Sequence, residues 1–192
     1  MISSAATNSL DRVFEGALRD ISVATDDECC SVRQLDALPI DGVPAVVNQV
    51  VACNISAFTF RLVVFFSFPV NDVTSRFFCR KFQLTKKEDK TGELDDAAAE
   101  FVNMASGRVK SALTTVTGYT GMSTPFMLDG RCRFQLPALK PAHTRYFDVT
   151  GSDEFRYEAG YCVCVGAASR VEFSINEALP TEDNSAGGLE LF

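Results

Sequence analysis

Between Asn8 and about Ile21, the residues Leu10, Val13, Phe14, Ala17, Leu18 and Ile21 recur at helical spacing and form one apolar stripe. The pattern predicts an amphipathic helix whose start Asn8 or Ser9 can cap. An acidic loop, Asp26-Asp27-Glu28, follows, and then an irregular stretch with Pro39 and Pro44. From 45 to 68 the pattern turns β-like. Val, Ile, Phe and Thr dominate two runs, 45–53 and 57–68, split near Asn54. Pro69 ends the second run, and Asn71 or Asp72 can cap a short helix carrying Val73, Phe77, Phe78 and Phe82. Lys86-Lys87-Glu88-Asp89-Lys90 reads as a solvated linker.

The longest helical pattern runs from Glu93 to about Val116, preceded by Thr91-Gly92 and stopped by Gly118. Glu93, Asp95 and Asp96 occupy its first turn, where acids meet the positive end of the helix dipole. β-like runs then recur at 126–128, 131–136, 144–150, 155–165 and 170–176. Gly151-Ser152-Asp153 and Gly166-Ala167-Ala168-Ser169 read as hairpin loops between them. The acidic tail from Glu177 is expected to be mobile. These elements predict an α+β fold with long helices packed on one face of a largely antiparallel sheet. One domain is expected over residues 1–176, followed by a tail over 177–192.

Composition narrows the functional classes. The 192 residues suit one buried core, and sixteen Phe supply much of its volume. The absence of Trp removes an indole platform for sugars or bases. A net charge of −7 and a pI of about 4.7 argue against a nucleic-acid or anionic-membrane surface, while leaving room for a basic patch on a partner protein. The N-terminal stretch MISSAATNSLDR lacks a basic region followed by an apolar core, and the longest apolar run, Leu62 to Phe66, is too short for a bilayer. A soluble, cytoplasmic protein without membrane insertion is expected. Seven cysteines form no disulfide-like framework, and neither Cys29-Cys30 nor Cys162/Cys164 has zinc-pair spacing. They are expected to be reduced thiols packing as small apolar groups, with no metal site.

On a helical wheel at about 100° per residue, Asp96, Asn103, Gly107, Ser111 and Thr114 all fall within about 60° of Glu100. Leu94, Ala98, Phe101, Val102, Ala105, Val109, Ala112, Leu113 and Val116 gather on the opposite side. The polar stripe is chemically unusual, because Asn103 and Gly107 are poor helix formers at its centre. Two readings stand: Gly107 admits the backbone of a visitor at which Glu100 and Asn103 point, or these are tolerated surface residues.

The segment 92–107, continuing to Leu113, resembles the CheC/CheX family of chemotaxis phosphatases. The family's signature is an Asp or Ser, three residues, Glu, two residues, Asn, and a proline further on. Asp96, Glu100 and Asn103 fit it, Gly107 fits a glycine common in these helices, and Pro125 resembles the proline, one residue early. The resemblance implies hydrolysis of the phospho-aspartate of a CheY-like response regulator. Asn103 would orient the attacking water, and Glu100 would anchor the helix to the regulator's active-site lysine. Asp96, Gly107 and Pro125 would serve docking. Mg2+ would belong to the regulator, so this chain is expected to need no cofactor of its own. A single Glu-x-x-Asn makes the chain CheX-like, and such proteins are typically homodimers.

Three other readings fit parts of the sequence. A CheX-like module that binds a receiver domain without hydrolysis would use the same face. A hydrolase pairing Asp96 with Glu100 places its carboxylates closer than an inverting pair requires. A triad would have to use His143, in a Pro-flanked loop between Pro137, Pro141 and Tyr146, with no nucleophile motif nearby.

Overall fold

The computed structural model describes residues 1–23, 29–37, 48–84 and 91–175. The acidic loop at 26–28, Pro39 and Pro44, the linker at 86–90 and the tail from Glu177 lie outside the described residues.

The first helix, α1, spans Ser4–Ile21, and Ser3 caps it by accepting from the Ala6 amide at 3.2 Å. It therefore starts one turn before the expected Asn8 or Ser9 cap. The early turn was hidden because it buries only Ala6, too little to extend the apolar stripe. A short strand, β1 (Ser31–Leu35), follows where no element was expected. Then β2 (Asn48–Ser56) and β3 (Phe60–Pro69) form a hairpin. The expected break near Asn54 is absent: β2 runs through it, and the chain turns at 57–59 instead. Helix α2 (Asp72–Lys81) is capped by Asn71, whose side chain accepts from Thr74 N at 2.9 Å.

Helix α3 (Thr91–Thr117) ends at Gly118, whose φ of +76° is cheap only without a Cβ. Strands β4 (Gly121–Met122) and β5 (Phe126–Asp129) both pair with the outer edge of β2. The expected strand at 131–136 is instead a 3-10 segment over Gly130–Leu139. Asp129 starts it by accepting from Arg131 N at 2.9 Å, and Gly130 passes so close to β2 that an added Cβ would run into the Asn48 carbonyl. Strands β6 (His143–Thr150) and β7 (Arg156–Val165) form the second hairpin, around the expected turn at 151–153. His143 is thus the first residue of a strand, not part of a loop. The expected strand at 170–176 is also absent: among its described residues only Val171 bridges, in parallel, to Ile2. The chain there runs along α1, with Ile175 N donating to Ser9 Oγ at 3.1 Å and Arg12 donating to Ile175 O at 2.8 Å.

The seven strands make one sheet in the order β1-β6-β7-β3-β2-β4, with β5 also on β2, and every strand pairing is antiparallel. Side chains alternate across it with period two. Val51, Cys53, Ile55, Leu62, Val64, Phe66, Phe68, Tyr157, Tyr161 and Val163 share a core with Phe14 and Leu18 of α1, Phe77 and Phe78 of α2, and Phe101 and Val102 of α3. Val50, Ala52, Phe65 and Cys162, of opposite parity, form a smaller cluster under Leu136 of the 3-10 segment. That second cluster explains why Leu62 to Phe66 is apolar at consecutive positions: the centre of β3 is covered on both sides. No helix among the described residues is long and apolar enough to cross a membrane.

Candidate functional site

The position of α3 is fixed from β2. Gln49 donates to Asp95 Oδ1 at 2.6 Å near the start of the helix. Halfway along, the fully buried Ser106 faces Cys53, whose thiol pKa is pushed up by burial against the opposing pull of Ser123 and Ser106. Phe101 is buried among Phe66, Phe68, Phe77, Phe78, Phe155 and Tyr157, with ring centroids 5.5–6.4 Å from its own. Ala98, Val102, Ala105, Val109, Ala112 and Leu113 are buried as the wheel predicts, whereas Val116, near the helix end, is exposed.

The opposite face carries the candidate residues. Asp96 and Glu100 are exposed, and Asn103 and Gly107 are half-buried. Asn103 Nδ2 lies 3.4 Å from Glu100 Oε2, a long hydrogen bond that sets amide and carboxylate side by side. A Cβ added at Gly107 would meet nothing within 4 Å, so no described residue of this chain fills that place. Ser111 is exposed and Thr114 half-buried, continuing the stripe.

Pro125 joins this region through the sheet. Ser123 N donates to Asn54 O at 2.9 Å, Asn54 N donates to Ser123 Oγ at 3.0 Å, and the Cys53 thiol donates to Ser123 O at 3.3 Å. Phe126 is paired opposite Ala52. Pro125 therefore sits at the sheet edge, where a missing N–H breaks no ladder bond, beside the stretch of β2 that faces Ser106. Ser106 lies on α3 between Asn103 and Gly107, so the link carrying Pro125 runs alongside the middle of the candidate face.

Chemically the face offers one carboxylate and one carboxamide. The carboxylate can hold a cationic group by a charge-assisted bond. The carboxamide donates and accepts without changing protonation state. Among the described residues no group of three or more His, Cys, Asp or Glu has a metal-holding arrangement. The cysteines are free: Cys53 and Cys162 pack as the buried thiols expected, while Cys29 is exposed.

Sequence reasoning missed a second polar cluster. Asp11 of α1 accepts from Tyr161 Oη at 2.5 Å and from Arg145 Nε at 3.1 Å, with His143 Nε2 at 3.9 Å. Burial alone would raise the Asp11 pKa, but the nearby His143 ring and the bonds from Tyr161 and Arg145 outweigh it and hold the carboxyl at about 2. Burial, reinforced by the bond to Asp11, pushes the Tyr161 phenol up. The His143 ring packs against Tyr161 in this network. The group ties α1 to β6 and β7, and more than a hundred residues separate its halves. No local pattern could have announced it.

No protein-family model matches the chain, and no curated protein matches it. Solved structures do. The CheX–CheY–BeF3–Mg2+ complex from Borrelia burgdorferi aligns with a TM-score of 0.56 at 10% identity, over 82% of this chain and 96% of that one. Chemotaxis protein CheX from Vibrio vulnificus aligns with a TM-score of 0.53 at 13% identity, over 81% of this chain and 97% of its own. A CheC-like superfamily protein from Shewanella sp. PV-4 gives 0.52 at 13% identity, over 84% and 98%. At such identities the likeness is one of backbone architecture, and on that ground the chain has the CheC/CheX-family fold.

Proposed function

We propose that this chain is a phosphatase acting on the phospho-aspartate of a CheY-like response regulator in chemotaxis or a related two-component pathway. The observation that carries the reading is the Glu100–Asn103 pair, 3.4 Å apart on the outer face of α3, with open space at Gly107 one turn further on. The CheY present in the Borrelia complex makes a receiver domain the natural partner to test. In this reading long helices pack on one face of the sheet and leave the outer side of α3 free for docking.

Asn103 orients a water in line with the phosphorus. The water oxygen attacks, the bond from phosphorus to the aspartyl oxygen breaks, and the carboxylate leaves with the electron pair. Inorganic phosphate carries away the oxygen of the water, and the surplus proton passes to solvent. An acyl phosphate is already activated, so positioning supplies much of what the step needs. Glu100 grips the regulator's lysine, and Asp96, Gly107 and Pro125 shape the docking surface. Mg2+ sits in the regulator, and this chain brings no cofactor. A homodimer is part of the reading, and sedimentation at micromolar concentration tests it.

The deciding experiment follows the decay of phosphorylated receiver domains with wild type, Asn103→Ala and Glu100→Ala. Faster decay with wild type is expected, reduced on the order of a hundredfold in Asn103→Ala through loss of positioning. Binding with unchanged decay would leave a docking module without chemistry. Neither binding nor faster decay across the organism's receivers would overturn the reading.

A further inference from the structure

Among the described residues, Met104 is the large apolar side chain exposed near the centre of the candidate face. It is 40% exposed, although α3 buries Phe101, Val102, Ala105, Val109 and Leu113 almost completely. Helical spacing puts it one turn from Glu100 on one side and from Gly107 and Arg108 on the other, with Cβ atoms about 5–6 Å apart at i, i+3 and i, i+4. Its neighbourhood is half built. Arg108 is committed to Asp20 at the end of α1, which closes the rim on that side. Around the helix toward Asn103, nothing within 4 Å would meet a Cβ at Gly107. A flexible thioether thus stands beside bare helix backbone, flanked by an exposed carboxylate and an internally paired guanidinium.

A macromolecule lying across Glu100 and Asn103 borders Met104, which sits about 40° round the helix from Glu100 and about one turn along it. Resting on the reading that Glu100 and Asn103 act on a docked receiver domain, we propose that Met104 is the apolar anchor of that docking and helps to set which receiver is accepted. The complementary patch on the receiver carries an aliphatic or aromatic side chain next to a cationic group. The cation meets Glu100, and the apolar group fills the space between Met104 and Gly107. Unbranched and polarisable, Met adapts its shape to such a partner better than a β-branched residue would. Interfaces concentrate their energy in a few such central residues, with polar groups at the rim.

The test compares wild type, Met104→Gln and Met104→Leu. One readout is the decay kinetics of a CheY-like receiver domain phosphorylated with acetyl phosphate, and the other is direct binding of that receiver. Gln keeps the length and helix propensity of the side chain, and Leu keeps its apolar character. Expected is a rise in KM of about tenfold in Met104→Gln, with kcat within about twofold of wild type and most of the loss restored in Met104→Leu. An unchanged thermal melt would show that the exposed substitution has left the fold alone. Unchanged KM and Kd in Met104→Gln, with wild type still active, would overturn the anchor and spare the phosphatase reading. A fall in kcat alone would overturn it too. If wild type binds without hydrolysing, the phosphatase reading falls, and a tenfold weaker Kd in Met104→Gln still supports the anchor. If wild type does neither, both fall together.

Discussion

Gln49, at the second position of β2, donates to Asp95 on α3 at 2.6 Å and so sets the phase of the helix against the sheet. The apolar packing of α3 on β2 and β3 sets the height of the candidate face, and this bond fixes one point near its start. Gln49→Leu should cost about 1 kcal/mol of stability, the usual net value of one such bond. Urea unfolding measures it, and an unchanged midpoint would mean that packing alone holds the phase.

Gly107 separates stability from function. A helix-interior glycine with open space around it should become more stable as alanine, by about 0.5–1 kcal/mol. The bulkier Gly107→Leu should leave the isolated protein folded and weaken its binding to a phosphorylated receiver domain. A Leu variant that binds as well as wild type would show that no partner backbone comes close there.

The Asp11 network predicts a pH dependence. Its carboxyl titrates at about 2 when folded, against an ordinary value of 3.8. The contribution to stability is therefore complete above about pH 4 and is lost as pH falls from there toward 2. Asp11→Asn should cost on the order of 1–2 kcal/mol at pH 7, allowing for partial screening by solvent, and should converge on wild type toward pH 2. A gap that stays constant from pH 6 to pH 2 would show that the charge on Asp11 contributes nothing.

Phe101 follows Glu100 in the chain and lies fully buried beneath it. Phe101→Ala should destabilise by about 3–5 kcal/mol, through lost transfer energy and the cavity left among its aromatic neighbours. Denaturant unfolding checks this, and a loss below about 1 kcal/mol would mean that the cluster refills the space.

The legible parts of the fold were those with strong periodicity and clear punctuation. Helix α3 showed its two faces through the 3.6-residue repeat, and its end through Gly118. The hairpin of β6 and β7 showed through alternation around Gly151. Strand β1 stayed hidden because Ser31-Val-Arg-Gln-Leu35 is mostly polar and solvent-facing, and only its pairing with β6 makes it a strand. The stretch 131–136 misled because apolar content alone does not separate a strand from a 3-10 segment, and the decisive approach of Gly130 to Asn48 is a tertiary fact. For the candidate face, spacing alone placed Glu100 beside Asn103. Locating the Pro125 link beside Ser106 required the edge pairing of β2 with β4 and β5, and the Asp11 cluster required the whole fold.

The three ties on α3 have a mechanical consequence. Gln49 clamps the helix near its beginning, the buried Ser106 packs against Cys53 at its middle, and Thr114 in its last turn bonds Thr120 beyond its end. A rod fastened at both ends and supported at the centre does not bend under a load applied between its supports. A body pressing on Glu100 or Met104 therefore transmits its force into β2 instead of deforming the surface it lands on. The structure favours an encounter in which this chain keeps its shape as an anvil does and the body that strikes it does the adjusting.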